Sequence, residues 1–289
     1  VKVLAIVPAR GGSKGIVGKN LAPVAGVPLV VRAVTSTLAT RLIDRVIVST
    51  DDAQIALAAE ASGASVRVRP DALAGDTATS ESALLDVLDS IERAGEDLPA
   101  VVVFVQPTSP FIDAADLDRA ISRVLDDEHD VVFSAVETYA FLWEQVDVGA
   151  AERAAGEQLD GVRAAGARVA TGVNHDSSFR PRRQDRAPHY RETGAFYVMR
   201  TAGFREAGFR FFGRVGIAEV SELGSIEIDT PEELLLANAI APLLEGATST
   251  SPTSTAPTPA APTSTSASPA LSARDQAEHT PTSHLSSRS

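Results

Sequence analysis

The sequence predicts an α/β fold built on a doubly wound, mainly parallel sheet. Short apolar runs rich in β-branched residues recur along the chain, with helix-period patterns between them. The runs are also nearly continuous in hydrophobicity, as strands covered on both faces are.

In order, VKVLAIV (Val1 to Val7), RVIVST (Arg45 to Thr50), SVRVR (Ser65 to Arg69), VVVFVQ (Val101 to Gln106) and DVVFSAV (Asp130 to Val136) are the strand candidates. The segment from Ser80 places Ala83, Leu84, Val87, Leu88 and Ile91 on one helical stripe. Asp116 to Leu125 does the same with Leu117, Ala120, Ile121 and Val124. A last helix begins at Thr230-Pro231-Glu232-Glu233, where Thr230 and Glu233 form a capping box and proline takes the first helical position. Residues Thr138 to Pro188 show no sustained period, and an insertion that long in a compact domain is expected to be functional or an oligomer contact. From Gly246 to Ser289 the chain turns to Ser, Thr, Pro and Ala. Such a stretch has too little to bury to offset the entropy of ordering, so a disordered tail is expected after a single domain over residues 1–245.

Lys plus Arg number 26 against 38 Asp plus Glu in 289 residues, a formal charge of −12, which excludes a general nucleic-acid binder. Hydrophobic residues make up 44% but aromatics only 5%, so the core must be largely aliphatic. The absence of cysteine excludes disulfides, thiolate nucleophiles and zinc-thiolate sites, and fits a reducing, cytoplasmic setting. No run approaches about 18 uninterrupted apolar residues and no basic region leads the chain, so neither a membrane span nor a signal peptide is expected.

Directly after the first strand comes IVPARGGSKGIVGKNL, Ile6 to Leu21. In an open α/β sheet ligands bind beyond the carboxyl ends of strands, where glycine lets backbone N–H groups approach phosphate. Gly11, Gly12, Gly15 and Gly18 offer that freedom, and Lys2, Arg10, Lys14 and Lys19 fall in the first 19 residues without one Asp or Glu. Local charge against the global sign is what capture of a polyanion requires. The loop is not a P-loop, since Ser13 stands where the first glycine belongs and Asn20 where the hydroxyl belongs. The dinucleotide pattern G-x-G-x-x-G is absent as well.

Three further constellations carry charge or fixed geometry. Gln106-Pro107-Thr108-Ser109-Pro110 follows the apolar strand at another carboxyl end, its path fixed by two prolines. Arg180, Arg182, Arg183, Arg186 and Arg191 form a second basic cluster, suited to a carboxylate by guanidinium geometry. In Glu227-Ile228-Asp229, read as a strand, the two carboxylates face one side, an arrangement that a cation such as Mg²⁺ with phosphate oxygens would stabilise. The five histidines show no metal-ligand spacing and no Ser-His-Asp order.

Taken whole, the loop resembles the A-R-x-x-S-K-x-x-x-x-K-N signature of the acylneuraminate cytidylyltransferases (CMP-sialic acid synthetases). RPDALAGDTATS (Arg69 to Ser80), QPTSPF (Gln106 to Phe111), RRQDRAPHYRETGAFYV (Arg182 to Val198) and SIEIDTPEEL (Ser225 to Leu234) are similar to that family's later blocks, in the same order. The resemblance covers about residues 1–242. It implies a Rossmann-like nucleotidyltransferase fold, a homodimer formed through the insertion, and Mg²⁺-dependent transfer of CMP from CTP to the anomeric hydroxyl of a 2-keto sugar acid. By the same resemblance, Arg10, Gly11, Gly12, Ser13, Lys19, Asn20, Arg69 and Ser80 are the nucleotide contacts, with Arg10, Lys19 and Asp229 catalytic. Gln106, Arg183, Arg191 and Tyr197 are the acceptor contacts, and Glu227 and Asp229 the metal ligands. Two departures stand out: Glu227 where the pattern has D-x-D, and Thr193 where Asn is frequent before Gly194. The acceptor is left open between a sialic acid, 3-deoxy-octulosonate, another nonulosonic acid and a phosphonate. A catalytically reduced CTP-binding protein is the reading from a different class.

Overall fold

The computed structural model describes residues 2–13, 15–75, 78–148 and 168–248. In chain order these form β1 (Val3–Pro8), β2 (Pro23–Val24), β3 (Val27–Pro28), α1 (Leu29–Leu38), β4 (Arg45–Thr50), α2 (Ala53–Ala61), β5 (Ser65–Val68) and α3 (Ser80–Arg93). Then follow β6 (Val101–Val105), α4 (Ala114–Leu125), β7 (Val131–Thr138), β8 (Trp143–Asp147) and β9 (Arg168–Gly172). The last elements are β10 (His189–Arg200), α5 (Thr201–Ala207), β11 (Val215–Glu219) and α6 (Pro231–Thr248).

Strand alternation sorts the core into two layers. Val3, Ala5 and Val7 of β1 pack with Val30, Val34, Ile55, Leu117 and Ile121 from α1, α2 and α4. Leu4 and Ile6 turn the other way, toward Leu84, Val87, Leu88 and Ile91 of α3. Side chains of period two feeding helices on both faces are what a doubly wound sheet requires.

The seven-stranded sheet runs β11-β7-β10-β6-β1-β4-β5. Its ladders are parallel except where β10 pairs antiparallel with both β6 and β7. The expected mainly parallel, doubly wound sheet is therefore present, with one reversed strand. Counting parallel strands in chain order from the β5 edge gives 3-2-1-4, then β10, then 5-6. The order reverses between β1 and β6, and a ligand crevice is expected beyond the carboxyl ends of that pair.

Between Glu192 and Tyr197 the pairing of β10 with β7 shifts register. The shift is stabilised from inside: the buried Thr193 hydroxyl donates to Ser134 Oγ at 2.7 Å, and Phe196 N–H donates to the same oxygen at 3.1 Å. Gly194 adopts φ +73° there, a left-handed value at which a side chain would be strained. Thr193 thus closes the irregularity with Ser134, which gives its hydroxyl a structural task. Bulges of this kind re-aim strands next to functional sites.

Three sequence expectations change. Glu227-Ile228-Asp229 is not a strand: among the described residues its backbone makes a single bond to another segment's backbone, Ile228 N–H to Thr108 O at 2.9 Å, where a ladder needs a run of them. Within the insertion, β8 and β9 pair as a separate antiparallel hairpin, while residues 149–167 lie outside the described residues. The expected tail boundary at 246 moves, since α6 continues to Thr248; the remainder of the expected disordered segment lies outside the described residues. Among the described residues no helix is long and apolar enough to cross a membrane.

Candidate functional site

A cleft of about 500 Å³ opens where the strand order reverses, lined by Arg10, Ser13, Gly15, Lys19, Asn20, Arg69, Ser80, Gln106 and Asp229 among others. Arg10 follows β1 and Gln106 follows β6, so both reach it from strand carboxyl ends. Lys14, expected to add charge, lies outside the described residues.

The loop is held by its own polar groups. Buried Asn20 donates from Nδ2 to the Arg10 carbonyl at 2.8 Å, which fixes the chain beneath the arginine. Lys19 Nζ meets Asp229 Oδ1 at 2.8 Å, joining the loop to a segment 210 residues away. Gly15 permits that approach, since a Cβ there would fall 2.4 Å from the Asp229 carbonyl. Gly11 and Gly12 do not line the cleft as expected. The N–H of Gly11 donates instead to Asp51 Oδ1 at 3.0 Å, and its missing side chain makes room for Asp52, the cap of α2.

Arg69 is only 6% exposed, with Nη2 donating to the Ser49 carbonyl at 2.8 Å and Nε to Ser49 Oγ at 3.3 Å. Burial pulls its pKa down from the usual arginine value. Such a group is preset to meet an anion or an electron-rich ring. Ser80 lines the cleft as the first residue of α3, while the helix cap is Thr79, whose Oγ1 accepts from Ser82 N–H at 3.2 Å.

On the far side, Gln106 lies beside Thr108 and Glu227. Glu227 Oε1 is 3.3 Å from Thr108 Oγ1 and 3.5 Å from Gln106 Nε2. Burial first, then the charge of Asp229, raises the Glu227 pKa. Ile228 is fully buried against Val24, Leu29, Ala237 and Ala241, so this one side chain anchors the acids on either side of it. Glu233 N–H donates to Thr230 Oγ1, and Glu233 Oε2 accepts from Thr230 and Asp229 N–H at 2.8 and 2.7 Å. The expected capping box therefore also holds the backbone of Asp229.

The structure brings together Arg10, Ser13, Lys19, Asn20, Arg69, Ser80, Gln106 and Asp229 in the cleft lining; besides Gly11 and Gly12, four other expected residues are not part of it. Tyr197 is a core residue, stacked on Phe104 at 5.3 Å with its hydroxyl bonded to Glu192; burial and that carboxylate raise its pKa. Arg183 lies over the Tyr139 ring at 4.3 Å and is largely exposed. Arg191 donates to Ser225 Oγ at 3.0 Å, and neither residue is in the cleft lining. Glu227 is absent from the cleft lining, whereas Asp229 is part of it. Thr108 and Thr79 are site residues that the sequence did not assign; the proline-bracketed turn was the signal for Thr108.

As for a metal, no group of three or more His, Asp or Glu stands ready among the described residues. Among those residues Asp229 is the one carboxylate of the cleft lining, a donor set that would suit a cation such as Mg²⁺ only if phosphate and water supplied the other ligands.

Comparison with known proteins bears on the family and the fold. N-acylneuraminate cytidylyltransferase A of Danio rerio is 30% identical over 227 residues, 78% of this chain and 48% of that protein. The N-acylneuraminate cytidylyltransferase of Streptococcus agalactiae is 29% identical, over 81% of this chain and 52% of its own. The chain thus spans about half the length of these curated relatives. Among solved structures, CMP:2-keto-3-deoxy-manno-octonic acid synthetase complexed with CTP matches with TM-score 0.56 and 18% identity, covering 84% of this chain and all of that one. The 4-diphosphocytidyl-2C-methyl-D-erythritol synthase of Anaerococcus prevotii gives the same TM-score at 14% identity, over 83% and 96%. At those identities the two structures speak for the fold. The family model for cytidylyltransferases matches residues 4–202, from β1 to the start of α5, and the chain belongs to that family.

Proposed function

We propose that the protein transfers CMP from CTP to the anomeric hydroxyl of a sialic-acid-like 2-keto sugar acid and releases pyrophosphate. The observation that carries this is the cleft at the β1/β6 switch point, lined by the cations Arg10, Lys19 and Arg69 together with Gln106. Arg10 and Lys19 would steady charge growing on the leaving pyrophosphate, and Asn20 would keep their loop in place. Arg69 and Ser80 would hold the nucleoside end, and Gln106 the acceptor. Mg²⁺ belongs to the proposal: Asp229 would hold it, and it would neutralise phosphoryl charge during transfer. Fixing both substrates beside each other contributes through orientation. A homodimer formed through the insertion is also proposed.

The test is pyrophosphate release from CTP and Mg²⁺ with N-acetylneuraminate, set against 3-deoxy-octulosonate, other nonulosonic acids and a phosphonate. Release with N-acetylneuraminate is expected. Release with another acid alone reassigns the acceptor, and CTP binding without release for any acceptor overturns the enzymatic reading.

A further inference from the structure

We infer that Glu227 is a positioning residue for the acceptor side of the cleft, and that Asp229 alone of the two carboxylates meets the metal-bearing triphosphate. This rests on the cytidylyl-transfer reading above.

Four observations lead there. Glu227 Oε1 is within 3.3 Å of the Thr108 hydroxyl and 3.5 Å of Gln106 Nε2, so its partners belong to the turn after β6. From the other side, a Cβ on Gly194 would lie 3.3 and 3.4 Å from the Glu227 carboxylate oxygens and 3.5 Å from Gln106 Oε1, so the bulge of β10 closes over the same pair. Asp229, in contrast, lines the cleft and is engaged by Lys19 of the phosphate-side loop. Buried Ile228 pins the backbone between them.

Chain length makes the assignment specific to glutamate. An aspartate at 227 would end one C–C bond short, about 1.5 Å. It would lose both the Thr108 and Gln106 contacts, which are already at the long end of hydrogen bonding. The extra methylene therefore serves the acceptor turn. By accepting from Nε2, Glu227 also decides which end of the Gln106 amide is left to meet a sugar hydroxyl.

The experiment uses two readouts. Mn²⁺ binding to the protein–CTP complex is followed by the electron paramagnetic resonance of free Mn²⁺, and KM is measured separately for CTP and for the acid that wild-type protein uses. Asp229→Asn is expected to weaken Mn²⁺ binding at least tenfold, and Glu227→Gln less than twofold. Glu227→Ala and Glu227→Asp are expected to raise the acceptor KM fivefold or more with the CTP KM unchanged, and Glu227→Gln, which keeps length and an accepting oxygen, to recover most of that loss. Mn²⁺ loss in Glu227→Gln equal to that in Asp229→Asn overturns the inference, as does a Glu227→Ala effect confined to the CTP KM. If wild-type protein uses no acceptor, the transfer reading fails by itself, and the Mn²⁺ measurement still decides whether Glu227 is a metal ligand.

Discussion

Arg69 shows how a single residue joins fold to site. Its backbone N–H donates to Thr50 O at 2.7 Å just past β5, and its side chain returns to Ser49, so strand pairing and guanidinium placement are one event. Truncation would leave a cavity and remove one of two donors to the Ser49 carbonyl, the other being Ala9 N–H at 2.9 Å. Arg69→Ala should weaken CTP binding by about 10- to 100-fold, or about 1.4 to 2.8 kcal/mol, by isothermal titration. Lysine should restore little, having no planar fork to span two acceptors; full recovery in Arg69→Lys would contradict this role. Arg69 was legible because it follows a strand candidate within a recognisable block. Tyr197 was not: only the fold shows its ring turned into the core against Phe104.

At the scale of elements, β1, β4 and β6 were legible because burial on both faces forces continuous apolar, β-branched runs. β11 and the β8/β9 hairpin escaped notice for the opposite reason. Val215–Glu219 has an exposed residue at each end, and four of the five residues of β8 are exposed, so the pattern is short and diluted. Their ends are tied by charge where hydrophobicity is thin. Asp130, just before β7, accepts from the Arg214 backbone at 2.8 Å and Nε at 3.1 Å, and lies 3.4 Å from Arg200 Nε at the end of β10. These contacts, the Arg214 side chain foremost, lower the Asp130 pKa to about 2. A pKa lowered on folding means that the stabilising contribution is present above the unfolded value of about 3.9 and is lost as pH falls toward 2. Asp130→Asn should therefore lower the urea midpoint above pH 4 and converge with wild type near pH 2. A difference that persists unchanged to pH 2 would rule out the ion pairs as its source.

The whole molecule sets a strongly negative body around a cleft bearing Arg10, Lys19 and Arg69. Association with CTP should slow as ionic strength rises, since the attraction is local and screened over about 8 to 10 Å in ordinary buffers. Leu142, Trp143 and Phe179, at 51%, 53% and 66% exposure, show apolar surface on the insertion. In the proposed homodimer they would be covered. Light scattering should give twice the 30.2 kDa chain mass, and emission of Trp143, the single tryptophan, should shift to the red on dilution to monomer. A concentration-independent monomer mass would remove the dimer.

The bond between Lys19 and Asp229 has a consequence for biosynthesis. Its halves leave the ribosome some two hundred residues apart, and the acid is held by Glu233 and by the Ile228 socket that α6 completes. A nascent chain that has already folded β1 through β7 would display the cationic loop without its counter-charge. Competence to grip a nucleotide correctly should thus arrive abruptly, when the closing helix docks, and not in proportion to the length translated.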